Sequence, residues 1–306
     1  MKTEEVSFGK ILNYYRTKLS LTQEELSEGI CSRKYISRLE KDMQIPTLDI
    51  VNKLSNKLEI NIYDTYALIL RHHNIETHIM IENLNNNFSQ SYLKNLKPLI
   101  DSYSQLETFR TGEPFQILTY AQCLYYGTYK KNPSKAINIA TSALAQFYPN
   151  FMSSTFDPLT LSNCELSLLL SLAVNYCRTN KFDSASIIYK LMLTYLRKVL
   201  RQSHYVINKN HHFEINLFGL VIYNCFITFR KNGQFYEDEI DFMLDLLKET
   251  GNSFNLTKLL FMKAYICKVK DNNDAYNHYY NIAHYYGMFI YSEQELNNLE
   301  NDILQS

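Results

Sequence analysis

Residues 8–58 read FGKILNYYRTKLSLTQEELSEGICSRKYISRLEKDMQIPTLDIVNKLSNKL, and their punctuation decides the fold. Thr22 stands three residues before Glu25, so its hydroxyl can cap a helix starting at Gln23 while the Glu25 carboxylate reaches back to the cap. Ser32 is a good N-cap for a helix from Arg33 to about Lys41, and Thr47, just after Pro46, caps a further helix through Leu58. Between the first two lies the turn Gly29-Ile30-Cys31. Ile11, Tyr15, Leu21, Leu26, Ile30, Ile36, Leu39, Ile45, Leu48, Val51 and Leu54 recur at helical spacing and are expected to form one small core.

Four or five short helices with that turn have helix-turn-helix spacing, which presents one exposed helix to a DNA major groove. The helix after the turn carries the fitting chemistry. Ser32, Arg33, Lys34, Ser37, Arg38 and Lys41 cover its polar surface. Arg and Lys pair with guanine or phosphate, while Ser and Gln position the backbone. Cys31 to Lys41 carries a charge of +3, whereas Met1 to Ile60 as a whole carries only +1. The basic character is thus concentrated on one helix. The plainer alternative is a small helical bundle with a solvated basic face.

The segment LTQEELSEGICSRKYISRLEKD resembles the Xre or lambda-repressor type of helix-turn-helix, and its wording is closest to the Rgg/PlcR/PrgX branch. The resemblance covers about 55 residues. It implies that Gln23 contacts phosphate and that Arg33, Lys34, Tyr35 and Arg38 face the groove. It also implies that Arg16 pairs with Glu40 inside the module. Tyr35 has the competing role of packing on a neighbouring helix.

The chain has 306 residues, long enough for at least two domains, with no Trp, eight Gly and six Pro. So few breakers favour an all-α fold, and the absence of GxGxxG and GxxxxGK[ST] argues against nucleotide enzymes. Formal net charge is zero, so a nucleic-acid contact must come from a local patch. Six cysteines at 31, 123, 164, 177, 225 and 267 include no CxxC pair and read as free thiols of a reducing cytoplasm. No secretory signal is read near the N-terminus. The longest apolar run, Leu166–Val174, is about half a membrane span. None of the eight histidines is spaced as a metal ligand with its neighbours, and no nucleophile motif is present. These patterns predict a cytoplasmic protein that is not an enzyme, with no metal, no cofactor and no membrane partner.

Beyond the module the helical period continues almost to the C-terminus. A degenerate repeat is visible: an apolar helix, a polar turn, then a helix opening with a small residue and an aromatic four positions later. LLLSLAVNYCRTNKFDSASIIYKLM (168–192) has Ala185 and Tyr189 in those places, and LLFMKAYICKVKDNNDAYNHYYNIA (259–283) has Ala275 and Tyr279. Weaker copies carry Ala136, and Asp238 with Phe242. Anchors at Ala136, Ala185, Asp238 and Ala275 are 49, 53 and 37 residues apart. These copies resemble tetratricopeptide repeats, with an ideal period of about 34 residues. The predicted organisation is a DNA-binding domain over 1–62, a linker helix over 63–75 and a repeat domain over 76–306.

Stacked helix pairs of this kind form a superhelix with a concave face. Aligning the helices places Gln122, Tyr125, Arg178, Tyr223, Asn224, Ile227, Lys231, Phe261 and Lys268 on it. Carboxamides can pair with a peptide backbone in either direction, cations with a terminal carboxylate, and rings with apolar side chains. Tyr125, Tyr223 and Phe261 are equally read as core between helices.

The layout resembles the cytosolic peptide-pheromone receptors of the Rgg, PlcR and PrgX types. That resemblance implies a homodimeric transcriptional regulator that binds a double-stranded DNA operator under the control of a short signalling peptide, as in quorum sensing. The rival readings are a ligand-independent phage or plasmid repressor, with repeats used only for dimerisation, and a repeat-based interaction scaffold.

Overall fold

The computed structural model describes residues 7–62, 65, 75–152, 161–202, 212–251, 253 and 255–305. The fold is all-α; among the described residues there is no strand. The chain divides into two compact units, Met1–Ala121 and Gln122–Ser306.

The first unit opens with α1 (Phe8–Lys18), α2 (Gln23–Ser27), α3 (Arg33–Glu40) and α4 (Leu48–Leu58). Each start is fixed by a hydroxyl that satisfies an orphan amide. Ser7, Thr22, Ser32 and Thr47 accept from the amides of Lys10, Glu25, Tyr35 and Ile50. The Thr22–Glu25 capping box closes from both sides. Gly29, at φ +75°, makes the turn between α2 and α3 in the left-handed region that glycine adopts without strain. The amides of Ile30 and Cys31 both donate to the Ser27 carbonyl there.

Ile11, Leu12, Leu26, Ile36, Leu39, Val51, Leu54, Leu58 and Ile62 close into one core. Gly9 brings α1 against the end of α3: a Cβ there would sit 2.3 Å from the Leu39 carbonyl oxygen. The Gly9 amide donates to Asp42 Oδ1 at 2.9 Å. Two expected core residues are not core. Ile45 is 91% exposed and Leu48 63% exposed. Ile45 lies in the loop ahead of α4, and Leu48, its first residue, continues the Val51–Leu54 stripe past the end of the packed core. The unit continues with α5 (Ile75–Asn85), a 3-10 turn (Gln90–Asn95), α6 (Leu96–Tyr103) and α7 (Gly112–Cys123), and the division between the units falls inside α7.

The second unit runs from a π-helical turn (Leu124–Tyr129) through α8 (Pro133–Phe147), α9 (Asn163–Arg178), α10 (Phe182–Gln202), α11 (His212–Phe229), α12 (Glu237–Thr250), α13 (Leu256–Val269), α14 (Asn273–Gly287) and α15 (Glu293–Leu304). From α8 on, consecutive helices pack on one another across most of the series. Alternate helices also touch: α9 meets α11, α11 meets α13 and α13 meets α15. This is the layering of stacked helix pairs.

Ala136 and Ala185 are buried at their repeat anchors, with Tyr189 buried behind Ala185. The later copies drift. Asp238 is exposed and Ile240 is buried in its neighbourhood; Ala275 is half-buried and Ala283 fully buried. The stretch His212–Asn232 is long and apolar enough to cross a membrane, with a mean hydropathy of 1.3. Phe218, Val221, Ile222 and Phe226, on α11, are fully buried against the neighbouring helices. The expected linker over 63–75 lies outside the described residues except for Thr65 and Ile75, as do the His72-His73 pair and His211.

Candidate functional site

Helix α3 points Ile36 and Leu39 into the module core and leaves Ser32, Arg33, Lys34 and Arg38 exposed. Its neighbours decide the sign of that face. Arg16, from α1, donates through Nε to Glu40 Oε1 at 2.5 Å and through Nη2 to Oε2 at 3.1 Å. Gln23 Nε2, at the start of α2, donates to the same Oε2 at 2.8 Å. The Glu40 side chain is only 6% exposed. Asp42 is tied to the Gly9 amide.

Both acids at the end of α3 are therefore held by partners within the module. Among the described residues none of Arg33, Lys34, Arg38 or Lys41 is paired with a carboxylate. Bidentate arginine pairs are the strong, geometrically fixed kind, so Arg16–Glu40 also locks α1, α2 and α3 together. The expected Arg16–Glu40 pair forms. Of the residues expected on the reading surface, Ser32, Arg33, Lys34 and Arg38 share the exposed face. Ser37 is half-buried, the Gln23 amide is donated inward, and Tyr35 packs against the module core.

The nine repeat positions are placed less uniformly. Phe261 is fully buried with its ring 5.9 Å from that of Tyr280, so it belongs to the core and offers no surface. An aromatic on an apolar helix fills whichever face the neighbouring helices enclose, and spacing alone does not name that face. Tyr125 is also buried, packed beside Tyr126 and Tyr129. Arg178 Nη1 donates to the Gly127 carbonyl at 3.0 Å. The Asn224 amide donates to the Leu220 carbonyl of its own helix at 2.7 Å, which satisfies it locally. Gln122, Tyr223 and Ile227 are half-buried, and Lys231 and Lys268 are exposed. Burial, chiefly, pushes the Tyr223 hydroxyl up to about 12, with the Asp302 carboxylate adding to it.

Two cavities in this unit escaped the sequence reading. One, of about 710 Å³, is walled by α10 and the start of α12, with Lys190, Arg197, Lys198 and Arg201 facing Tyr236 and Glu239. The other, of about 720 Å³, lies among Asn216, Asn255, Thr257, Lys258 and Tyr291. None of the nine positions lines either, although the Tyr223 ring lies under Lys258, with the ammonium 5.2 Å from its centre. The signal that could have found the second is Asn255-Leu256-Thr257-Lys258, a polar cluster at a helix start behind Gly251. Among the described residues no group of His, Cys, Asp and Glu could hold a metal ion.

Residues 12–64 match the helix-turn-helix family model. No curated protein sequence matches the chain. Among solved structures, the chain is similar to Bacillus thuringiensis PlcR in complex with the peptide PapR7 and DNA. The two share 17% identity over 98% of this chain and 99% of that one, with a TM-score of 0.55. It also aligns with ComR from Streptococcus vestibularis in complex with its signaling peptide XIP, at 14% identity over 96% of each chain and a TM-score of 0.48. The PrgX/cCF10 complex aligns at 18% identity over 96% of this chain and 98% of that one, with a TM-score of 0.47. The chain thus has an N-terminal helix-turn-helix domain, and the fold it shares with PlcR extends over nearly its whole length.

Proposed function

We propose that this protein is a DNA-binding transcriptional regulator, not an enzyme, whose affinity for its operator is set by a short peptide bound to the repeat unit. One observation carries the DNA half: α3 presents Arg33, Lys34 and Arg38 outward while Glu40 and Asp42 are held by Arg16, Gln23 and Gly9. A surface so divided offers cations to phosphate and to guanine edges, with Glu40 turned inward and the exposed Asp42 accepting from the Gly9 amide. Ser32 and Ser37 flank those cations, and Gln23 and Tyr35 brace the helix from behind. The organisation we infer is a DNA-binding domain over residues 1–62, a linker over 63–75 and a peptide-binding, dimerising repeat domain over 76–306, in a cytoplasmic homodimer.

In such a dimer two copies of α3 enter successive major grooves about 34 Å apart. The peptide half is supported by the fold shared with PlcR, which was solved with both a peptide and DNA. Gln122, Arg178, Tyr223, Asn224, Ile227, Lys231 and Lys268 are its proposed contacts, while Tyr125 is buried. Peptide acts by stabilising one of two states that differ in DNA affinity. The test is a random-site selection on duplex DNA, with wild type and the double variant Arg33→Ala, Arg38→Ala. Wild type enriches one near-palindromic sequence and the double variant enriches none. Equal enrichment by both would remove α3 as the reading helix.

A further inference from the structure

Two helix pairs of the repeat unit set an asparagine against a glycine and a cation three residues further on. In one, a Cβ on Gly127 would fall 2.6 Å from Asn175 Oδ1, so only glycine lets the carboxamide lie there. Arg178 then donates to the Gly127 carbonyl at 3.0 Å, with Thr128 Oγ1 at 3.4 Å and Asn175 Oδ1 at 3.5 Å. Its guanidinium is engaged by the fold. In the other, a Cβ on Gly219 would fall 2.7 Å from Asn255 Nδ2. Asn255 is 5% exposed and donates through Nδ2 to the Asn216 carbonyl at 3.2 Å. That bond turns Asn255 Oδ1 toward Lys258, whose Nζ donates to it at 3.2 Å.

Here the parallel ends. Lys258 is half-buried, and its ammonium has that one amide oxygen and the face of Tyr223. An ammonium has three N–H donors, and among the described residues no carboxylate pairs with it. Burial alone lowers its proton affinity, with no charged neighbour contributing. The nearby Asp302 carboxylate makes itself felt on Tyr223, not on Lys258. Beside Lys258 lies the cavity of about 720 Å³. Thr257, which lines it, is 1% exposed and its Oγ1 has no hydrogen-bond partner; the Asn216 Oδ1 on the facing helix has none either. Ile290 and Tyr291 add apolar surface to the wall. A half-buried cation with spare donors, a spare hydroxyl and an apolar flank match a monoanion carried on an organic chain. A phosphate dianion calls for more than one cation.

We propose that Lys258, positioned by Asn255 and Gly219, is the anchor for a carboxylate of the bound ligand, with Thr257 donating to its second oxygen. The inference rests on the peptide reading above and deepens it: the carboxylate is a peptide's C-terminus or an Asp or Glu side chain. The test incubates the full-length protein with matched pools of short synthetic peptides, made as free acids and as C-terminal amides. Retained peptides are identified by mass spectrometry for wild type, Lys258→Gln, Lys258→Arg and the exposed-lysine control Lys248→Gln.

Wild type and the Lys248→Gln control retain free acids over the matching amides by about tenfold or more, Lys258→Arg keeps most of that preference, and Lys258→Gln brings it to parity. Retention of acids and amides alike, confined to peptides containing Asp or Glu and lost in Lys258→Gln, assigns the carboxylate to a side chain. If wild type binds peptides with no preference for either kind of carboxylate, the anchor is overturned and the peptide reading stands; that arm needs no variant to fold. The anchor is equally overturned if Lys258→Gln keeps the wild-type preference. If wild type retains no peptide from either pool, both readings fall.

Discussion

In the helix-turn-helix module the acid that ends α3, Glu40, is held inside and the cations of that helix face out, whereas in the repeat unit two cations, Arg230 and Lys258, are inward groups. Glu40 is enclosed by Arg16 and Gln23, leaving Arg33, Lys34 and Arg38 to solvent. Arg230 and Lys258 are instead drawn into their unit and met by a carbonyl, an amide oxygen and rings, and even the exposed Arg178 is tied down at the Gly127 carbonyl. Arg230 is 3% exposed, donates to the Ile303 carbonyl at 3.0 Å and lies over the rings of Phe226 and Tyr265. Burial is the leading cause that lowers the proton affinity of Arg230 and Lys258. The lesson is one of ligand size. Outward cations on a rigid helix suit an extended polyanion, while an inward cation beside a cavity suits a single small charge.

The comparison can be broken at its strongest point first. Arg33→Ala with Arg38→Ala should lower operator affinity by roughly a hundredfold or more, since each good bidentate base contact is worth about 1–3 kcal/mol. Gel-shift titration at fixed salt measures it, with an unchanged thermal melt as the control for folding. A variant that binds as wild type does would mean that the outward cations are only a solvated surface.

Glu40→Ala tests the inward half of the module. It leaves Arg16, whose side chain is 13% exposed, without its carboxylate, and should cost about 3–5 kcal/mol. Hydrogen exchange localises the loss: amides of α1, α2 and α3 should exchange faster while those of the repeat unit keep their protection. Uniform acceleration would show that the two units do not unfold separately.

A smaller effect is expected of Gly219→Ala, about 1–3 kcal/mol, because the new methyl must displace Asn255 from α11. Denaturant melts of the chain measure it, and a neutral result would show that Asn255 shifts freely and does not position Lys258. The smallest is Thr22→Ala. It removes one side of the α2 capping box and should destabilise the module by about 1 kcal/mol, measured as a shift in urea midpoint with unchanged slope.

The two regions also differ in how readable they were. In the module, caps and turn are local: Thr22 reaches Glu25, Ser32 reaches Tyr35, and Gly29 needs no distant partner. A hydroxyl and the amide three residues on are neighbours in any helix start, so residue order suffices. The Arg16–Glu40 pair spans 24 residues and came from the family resemblance, not from spacing. In the repeat unit the helices and the first two anchors were legible. The later anchors and the ligand positions were not, because irregular repeat lengths rotate each helix by an amount that the sequence does not state. Phe261 and Tyr125 turn inward for that reason, and Lys258 carries no signal in the sequence because what sets it apart is the lack of a carboxylate partner.

Residue order alone fixes an all-α chain, the starts of α2, α3 and α4, the helix-turn-helix spacing and the concentration of basic residues on α3. Periodicity and capping act over a few residues, and chain order fixes them. Only the tertiary structure decided which charges remain free. Glu40 is neutralised from a helix two elements away, Arg178 is engaged across helices by Gly127, and Lys258 is left with one amide oxygen and a ring. Whether a charge is satisfied depends on what lies within a few ångströms of it in space, and packing sets that distance, not sequence order.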